Sequence, residues 1–224
     1  KIDGDGQMDP KIIGNFIYPI ITGEADYTKG NRFYNPVDLG GMPKMRIFGN
    51  AVLSFLTKFS SGYWSIFDPT NGYTAIHRGA LENISLEKLD QGYFFEADIL
   101  FRLNTIRAVV VDVPMRATYN DEKSNLQISK ILAEFLGKHA RNTFKRVVYN
   151  YYLRDMSAAS LELPAGILLL AYGTTTGIYY LIEGYQTGIA TTAGTVMLAT
   201  LPIILGVQFI LAFFNYDINS TPQR

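Results

Sequence analysis

Charge disappears from the C-terminal quarter of the chain. After Glu162 the next charged residue is Glu183, and after that none occurs until Asp217. The first gap holds LPAGILLLAYGTTTGIYYLI, residues 163–182, which matches the ~20 residues a helix needs to cross a bilayer. The second runs from about 189 to 214 as IATTAGTVMLATLPIILGVQFILAFF and is long enough to span with tilt. Its Pro202 is compatible with a membrane helix, because neighbouring helices satisfy the carbonyl it frees. Only EGYQTG separates the two runs, so they form a tight helical hairpin, and residues 161–216 are assigned to it. The alternative, two core helices of a globular domain, fits poorly, since such helices rarely stay uncharged this long.

Ahead of the hairpin the pattern is that of an amphipathic helix, from about Ser124 to Asp155, with Ile128, Ile131, Leu132, Phe135 and Leu136 on one face. Its second half carries Lys138, Arg141, Lys145, Arg146 and Arg154 with no acid, interleaved with Phe144, Val147, Val148, Tyr151, Tyr152 and Leu153. Basic residues among aromatics at helical spacing describe a helix lying along anionic headgroups. Residues 123–160 therefore read as juxtamembrane amphipathic helix. By the positive-inside rule the bulk of the chain and its C-terminus lie in the cytoplasm, at the inner membrane.

Residues 1–122 alternate short apolar runs with loops, as in an α/β domain. IRAVVVDVPM (106–115) has the β-branched content of a buried strand, and PKIIGNFIYPII (10–21) has the spacing of a helix running into a strand. TKGNRF, LGGMPK and DPTNGY supply dense turn punctuation. His77 is expected in a loop or at a sheet edge and His139 on a helix surface.

Composition narrows the chemistry. The chain has 224 residues, a formal charge of zero and 48% hydrophobic residues, enough for a large core and without the global field that would attract nucleic acid. It contains no cysteine and two histidines, which excludes disulfides, thiolate zinc sites and cysteine nucleophiles. Acids then become the candidate metal ligands. KIDGDGQMDP places Asp3, Asp5 and Gln7 at alternate positions. A helix-loop-helix calcium site would need glycine at loop position 6 and glutamate at 12, but counting from Asp3 these are Met8 and Gly14. What remains is an acidic loop for a hard divalent cation, Mg2+ or Mn2+, with coordination positions left for substrate phosphates. Such a loop normally ends a buried strand, and only Lys1 and Ile2 precede it, so the expectation is that an N-terminal part is missing.

Five ordered motifs now carry a resemblance over essentially the whole chain. DGDGQMDP resembles the Asp-x-Asp-x-Gln loop of the dolichyl-phosphate mannosyltransferase group and the bacterial polyprenyl-phosphate glycosyltransferases. ADYTKGNRF is similar to their Gly-Ser-Arg segment, DPTNGYTAIHRGAL to their Asp-Pro-x-Ser-Gly-Phe segment, and DVPMRATYNDEKSNL to the bacterial acceptor-phosphate loop. LRDMSAASLELPAG and FFNYDINSTP resemble bacterial members with two C-terminal helices.

The resemblance implies a partial glycosyltransferase A-type domain in residues 1–122. It implies inverting transfer of a sugar from a nucleotide-diphosphate sugar to a polyprenyl phosphate, undecaprenyl or dolichyl, at the cytoplasmic membrane face. A cation at the diphosphate stabilises the charge that grows on the leaving group. Asp3, Asp5 and Gln7 are then the metal and donor-diphosphate residues. Arg32 is a donor-phosphate ligand, suited by its bidentate fork. Asp68 and Asp5 are the catalytic acids, Asp68 facing the reacting centre to orient acceptor or sugar. Arg78, Lys123 and Arg116 are candidates for the acceptor phosphate. Eukaryotic and archaeal members carry Gly-Glu-Ser-Lys where this chain has Asn-Asp-Glu-Lys-Ser, which shifts the lysine by one position and leaves that assignment open. Glu96 and Asp98 lie where related transferases place an acidic motif, and they read equally as a structural pair. With the nucleotide pocket outside these residues, they alone are expected to show little or no transferase activity.

Two other readings stay open. Processive polysaccharide synthases of the same superfamily commonly carry Gln-x-x-Arg-Trp, whereas the only tryptophan, Trp64, follows Gly62 and Tyr63. A non-catalytic membrane scaffold with a transferase-like domain is opposed by the intact Asp3, Asp5, Arg32 and Asp68. The small residues of AYGTTTG and TTAGT allow close helix packing within the hairpin or in a homo-oligomer.

Overall fold

The computed structural model describes residues 1–4, 6, 8–35, 44–116 and 128–224, without the side chains of residues 44, 46 and 128–132. Two compact units emerge: residues 1–149 with 221–224, and residues 150–220.

The first unit is mixed α/β and mostly helical, built on a three-stranded sheet of order β2-β1-β3. β1 (Tyr27–Asn31) is central and buried at every position. It pairs antiparallel with β2 (Thr74–Ile76), Tyr27 opposite Ile76 and Lys29 opposite Thr74. It pairs parallel with β3 (Val110–Pro114), from Tyr27 opposite Val110 to Asn31 opposite Pro114. β3 falls inside the apolar run 106–115, and its burial against β1 explains the β-branched content. Lys1 adds a further backbone pairing, exchanging hydrogen bonds with Thr74 in both directions at 2.7 and 3.1 Å.

PKIIGNFIYPII folds as a single 3-10 turn, Pro10–Ile12, leading into helix α1 (Ile13–Ile21). The strand expected at its end begins only at Tyr27. α1 turns Phe16 inward, where it stacks on Tyr73 at 4.0 Å and packs with Val113. Helix α2 (Lys44–Ser61) follows, then the short α3 (Arg78–Glu82) after β2, and α4 (Phe95–Thr105). Tyr27, Tyr63, Ile99, Leu100, Leu103 and Val110 form the main core.

Helix α5 (Ile128–Val148) is followed by a π-helical segment, Tyr149–Arg154, in place of one uniform helix from 124 to 155. His139 is not on the surface as its sequence neighbourhood suggests. It is 3% exposed, its Nδ1 sits 2.8 Å from Ser60 Oγ, and its ring meets Phe94 edge-on at 4.8 Å. Burial pushes its imidazole down to about 4, so it is neutral at physiological pH. His77 is at a sheet edge as expected, capping α3 by accepting from the Gly79 amide.

The second unit is a helical hairpin of α6 (Ala158–Thr187) and α7 (Ala193–Asn219). Both are long and apolar enough to cross a membrane; α6 extends beyond its uncharged run at both ends and α7 at its C-terminal end only. Gly166, Gly173 and Gly206 form the seam: a Cβ on Gly206 would meet the Gly166 carbonyl at 2.9 Å, and one on Gly173 the Ala199 carbonyl at 2.7 Å. Close backbone approach is what such small residues permit. At the charged end, the Tyr151 hydroxyl donates to Asp217 at 2.5 Å and the Ser160 hydroxyl to the Tyr151 carbonyl at 2.6 Å.

Candidate active site

Parallel strands direct their carboxyl ends to one edge of a sheet, and in α/β folds ligands gather there. Beyond that edge lie Arg32 after β1 and Met115 and Arg116 after β3. Arg32 is clamped to Asp68: Nε donates to Oδ2 and Nη2 to Oδ1, each at 2.7 Å, and the Arg32 amide adds a third bond to Oδ2 at 3.1 Å. Nη2 also reaches Thr70 Oγ1 at 3.0 Å. Asp68 is fully buried and has φ +53°. Among side-chain-bearing residues, Asp and Asn tolerate this left-handed conformation best. The guanidinium plane is therefore fixed by the loop 68–71.

Beneath this pair sits a residue the sequence reading passed over. Lys29, fully buried in the central strand, donates from Nζ to the Asn71 carbonyl at 2.5 Å. Burial pushes its ammonium down to about 8, against the pull of Asp68, Glu96 and Asp112. Asp112 in β3 answers it. Its Oδ2 accepts from Asn31 Nδ2 at 2.8 Å and from the Phe67 amide at 3.0 Å, while Oδ1 is buried without a hydrogen-bond partner. Burial pushes this carboxyl up to about 6, against those two hydrogen bonds. Burial thus works against the charged form of both Lys29 and Asp112. A lysine and an aspartate inside buried strand segments need partners, but the sequence does not say which.

The acidic loop reaches the same edge. Gly72 leaves no room for a Cβ against the Asp3 carboxylate, and Gly30 none against Met115 Sδ and Asn71 Nδ2. A Cβ at either position would force those side chains to shift. Met8 packs on the Phe16–Tyr73 cluster, and Asp9 caps the 3-10 turn by accepting from the Lys11 amide at 2.9 Å. Asp3 is half exposed and 3.2 Å from Lys1 Nζ. A cavity of about 560 Å³ lies among Asp9, Ile12, Tyr34, Asn35, Met115 and Arg116.

Asp3, Arg32, Asp68 and Arg116 thus share one edge of the sheet. Arg78 does not: it follows β2, whose Ile76 faces Tyr27 at the start of β1. There it is exposed and ion-paired with Glu82 at 2.6 Å. Asp5, Gln7 and Lys123 fall outside the described residues. Asp98 is buried in α4, holding Arg102 at 2.9 Å and Asn142 at 2.9 Å, and Glu96 binds Lys1 at 3.0 Å. Both carboxylates are engaged in these contacts. Among the described residues, no three His, Asp or Glu side chains group to hold a metal ion. Asp3 alone suits a cation that takes few protein ligands and keeps its remaining positions for water and phosphate.

The chain is 30% identical over 119 residues to the UDP-N-acetylglucosamine–dolichyl-phosphate N-acetylglucosaminyltransferase of Methanococcus voltae. The chain is similar to a lipid-phosphate sugar transferase. That match covers 53% of this chain and 47% of the relative. An uncharacterized protein of Methanocaldococcus jannaschii is 24% identical over 119 residues, covering 53% of this chain and 49% of its own. The chain spans about half the length of the curated relatives it matches. No protein-family model matches it. The similarity supports a polyprenyl-phosphate glycosyltransferase family, and with the two apolar helices it points to a membrane protein.

Proposed function

We propose that the protein takes part in transfer of a sugar from a nucleotide-diphosphate sugar to a polyprenyl phosphate, with inversion, at the cytoplasmic face of the membrane. The carrying observation is the buried Asp68–Arg32 clamp at the carboxyl edge of β1, within a chain similar to a dolichyl-phosphate N-acetylglucosaminyltransferase. Held on both its Nε and Nη2 sides, the guanidinium keeps one orientation without paying for it when phosphate arrives. The domain is read as part of a glycosyltransferase A-type fold, of the bacterial type with two C-terminal helices.

In this reading Arg32 meets the donor diphosphate, Asp68 orients Arg32 and faces the reacting centre, and Asp3, with Asp5 and Gln7, holds Mg2+ or Mn2+. The cation, when bound, supplies charge stabilisation at the leaving diphosphate. Arg116, which lines the cavity, is the acceptor-phosphate candidate that shares this edge, with Lys123 as its companion. An acceptor phosphate is already ionised near neutral pH, so no general base has to be built.

The test is lipid labelling in detergent with polyprenyl phosphate and a panel of radiolabelled nucleotide sugars, UDP-N-acetylglucosamine included, using the protein in its complete natural form. Labelling that needs Mg2+ or Mn2+ and is lost in Asp5→Ala and Arg32→Ala is the expected result. A folded protein that labels lipid with no donor overturns the proposal.

A further inference from the structure

A cation of the chain's own already sits on the acidic loop. Lys1 Nζ lies 3.2 Å from Asp3 Oδ1 and 3.0 Å from Glu96 Oε1, so one ammonium bridges the loop and the first turn of α4. Its third neighbour is the Phe95 ring, with the centroid 5.1 Å away, within cation–π range. Hydrogen bonds between the Lys1 and Thr74 backbones fix where this side chain starts. The two carboxylates are unequal partners. Glu96 is the better shielded, its side chain 18% exposed against 42% for Asp3, and an ion pair gains strength as water and salt are kept from it. Asp3 is presented differently, with its carboxylate over Gly72 in space that a Cβ there would fill.

From this bridge we infer that Glu96 is a positioning residue for the divalent-cation loop: it holds the Lys1 ammonium so that Asp3 can exchange Lys1 for Mg2+ or Mn2+. Asp3 cannot serve both, because an ammonium left beside a divalent cation repels it, and that repulsion grows where water is scarce. With Glu96 in place, Lys1 has only to release one carboxylate and keep the other, which its flexible four-carbon stem allows without backbone motion. Without Glu96, Asp3 is the one carboxylate left to Lys1 among the described residues, and the metal has to break that pair. Two features of the structure fit a cation at Asp3: the space kept open by Gly72 and the ammonium standing on the carboxylate. The inference rests on the reading of Asp3 as a metal ligand and names the residue that keeps it available.

Mn2+ binding reads this without turnover. The protein in its complete natural form is titrated with Mn2+ in detergent, and the free aqueous ion is counted by electron paramagnetic resonance. Wild type is compared with Glu96→Gln, Lys1→Gln and the double variant, Asp3→Ala sets the background, and an unfolding midpoint is measured for each. Glu96→Gln is expected to weaken Mn2+ binding several-fold, whereas adding it to Lys1→Gln is expected to change little, and Lys1→Gln alone binds at least as tightly as wild type. Equal weakening by Glu96→Gln in both backgrounds means that Glu96 acts by its own charge and overturns the inference. Unchanged binding in Glu96→Gln, or a loss that tracks a lowered unfolding midpoint, overturns it as well. A wild type that binds no more Mn2+ than Asp3→Ala overturns the metal reading of Asp3 and the inference with it.

Discussion

At the scale of single residues, the site is held by charges whose burial is tolerable only in combination. Asp68 loses all contact with water and recovers it through Arg32, the Arg32 amide and Asn71. Removing one partner of a buried pair costs about 3–5 kcal/mol, because the other charge is left uncompensated. Asp68→Asn separates charge from backbone, since asparagine also accepts φ +53°. Asp68→Asn is expected to lower stability by about that amount, and Asp68→Ala by roughly 1 kcal/mol more for the left-handed backbone. Denaturant unfolding in detergent measures both, and equal stability of the two variants would show that Asp68 carries no backbone strain. That Arg32 and Asp68 lie in loops was legible in the sequence, because glycine, asparagine and proline surround them; that they pair with each other was not. Nor were Lys29 and Asp112, since a charge within a strand announces a partner without saying which.

At the scale of elements, the hairpin and β3 could be read because each is a long or β-rich run with one dominant solvent preference. Helix α2 could not: its interior face is serine, threonine and asparagine, and its apolar face points outward, so the usual inside-outside inference gives no element there. The same inversion misplaces His139, which α5 buries against Ser60 of that polar face. Its consequence is a pH dependence with a definite sign. The folded imidazole titrates at about 4, below the ordinary ~6.5 of an unfolded chain. The unfolded state therefore binds the extra proton between those values. Stability from this group is complete above about 6.5 and falls with decreasing pH, by at most ~1.4 kcal/mol per pH unit, until about pH 4. Unfolding of the wild type and His139→Gln from pH 7 to pH 4 should give curves that converge toward acid. Parallel curves would mean that His139 is protonated as readily in the fold as out of it.

At the scale of the whole molecule, the charges that end the apolar runs set a ruler. Glu162 and Glu183 bracket 20 uncharged residues of α6, about 30 Å of helix, which equals the hydrocarbon thickness of a typical bilayer. The turn after Thr187 then emerges on one side and the segment before Ala158 on the other. Arg154 and the basic residues ahead of it have no Lys or Arg counterpart in the turn, so the positive-inside rule predicts that the turn lies outside. Met156, just before α6, and Gln186, in its last turn, are both exposed. In intact cells a membrane-impermeant maleimide is expected to label Gln186→Cys at once and Met156→Cys only after permeabilisation. The reverse order would invert the topology and put the basic residues ahead of α6 outside. Labelling of both positions in intact cells would mean that α6 does not cross, and that its uncharged run is accommodated along the membrane surface.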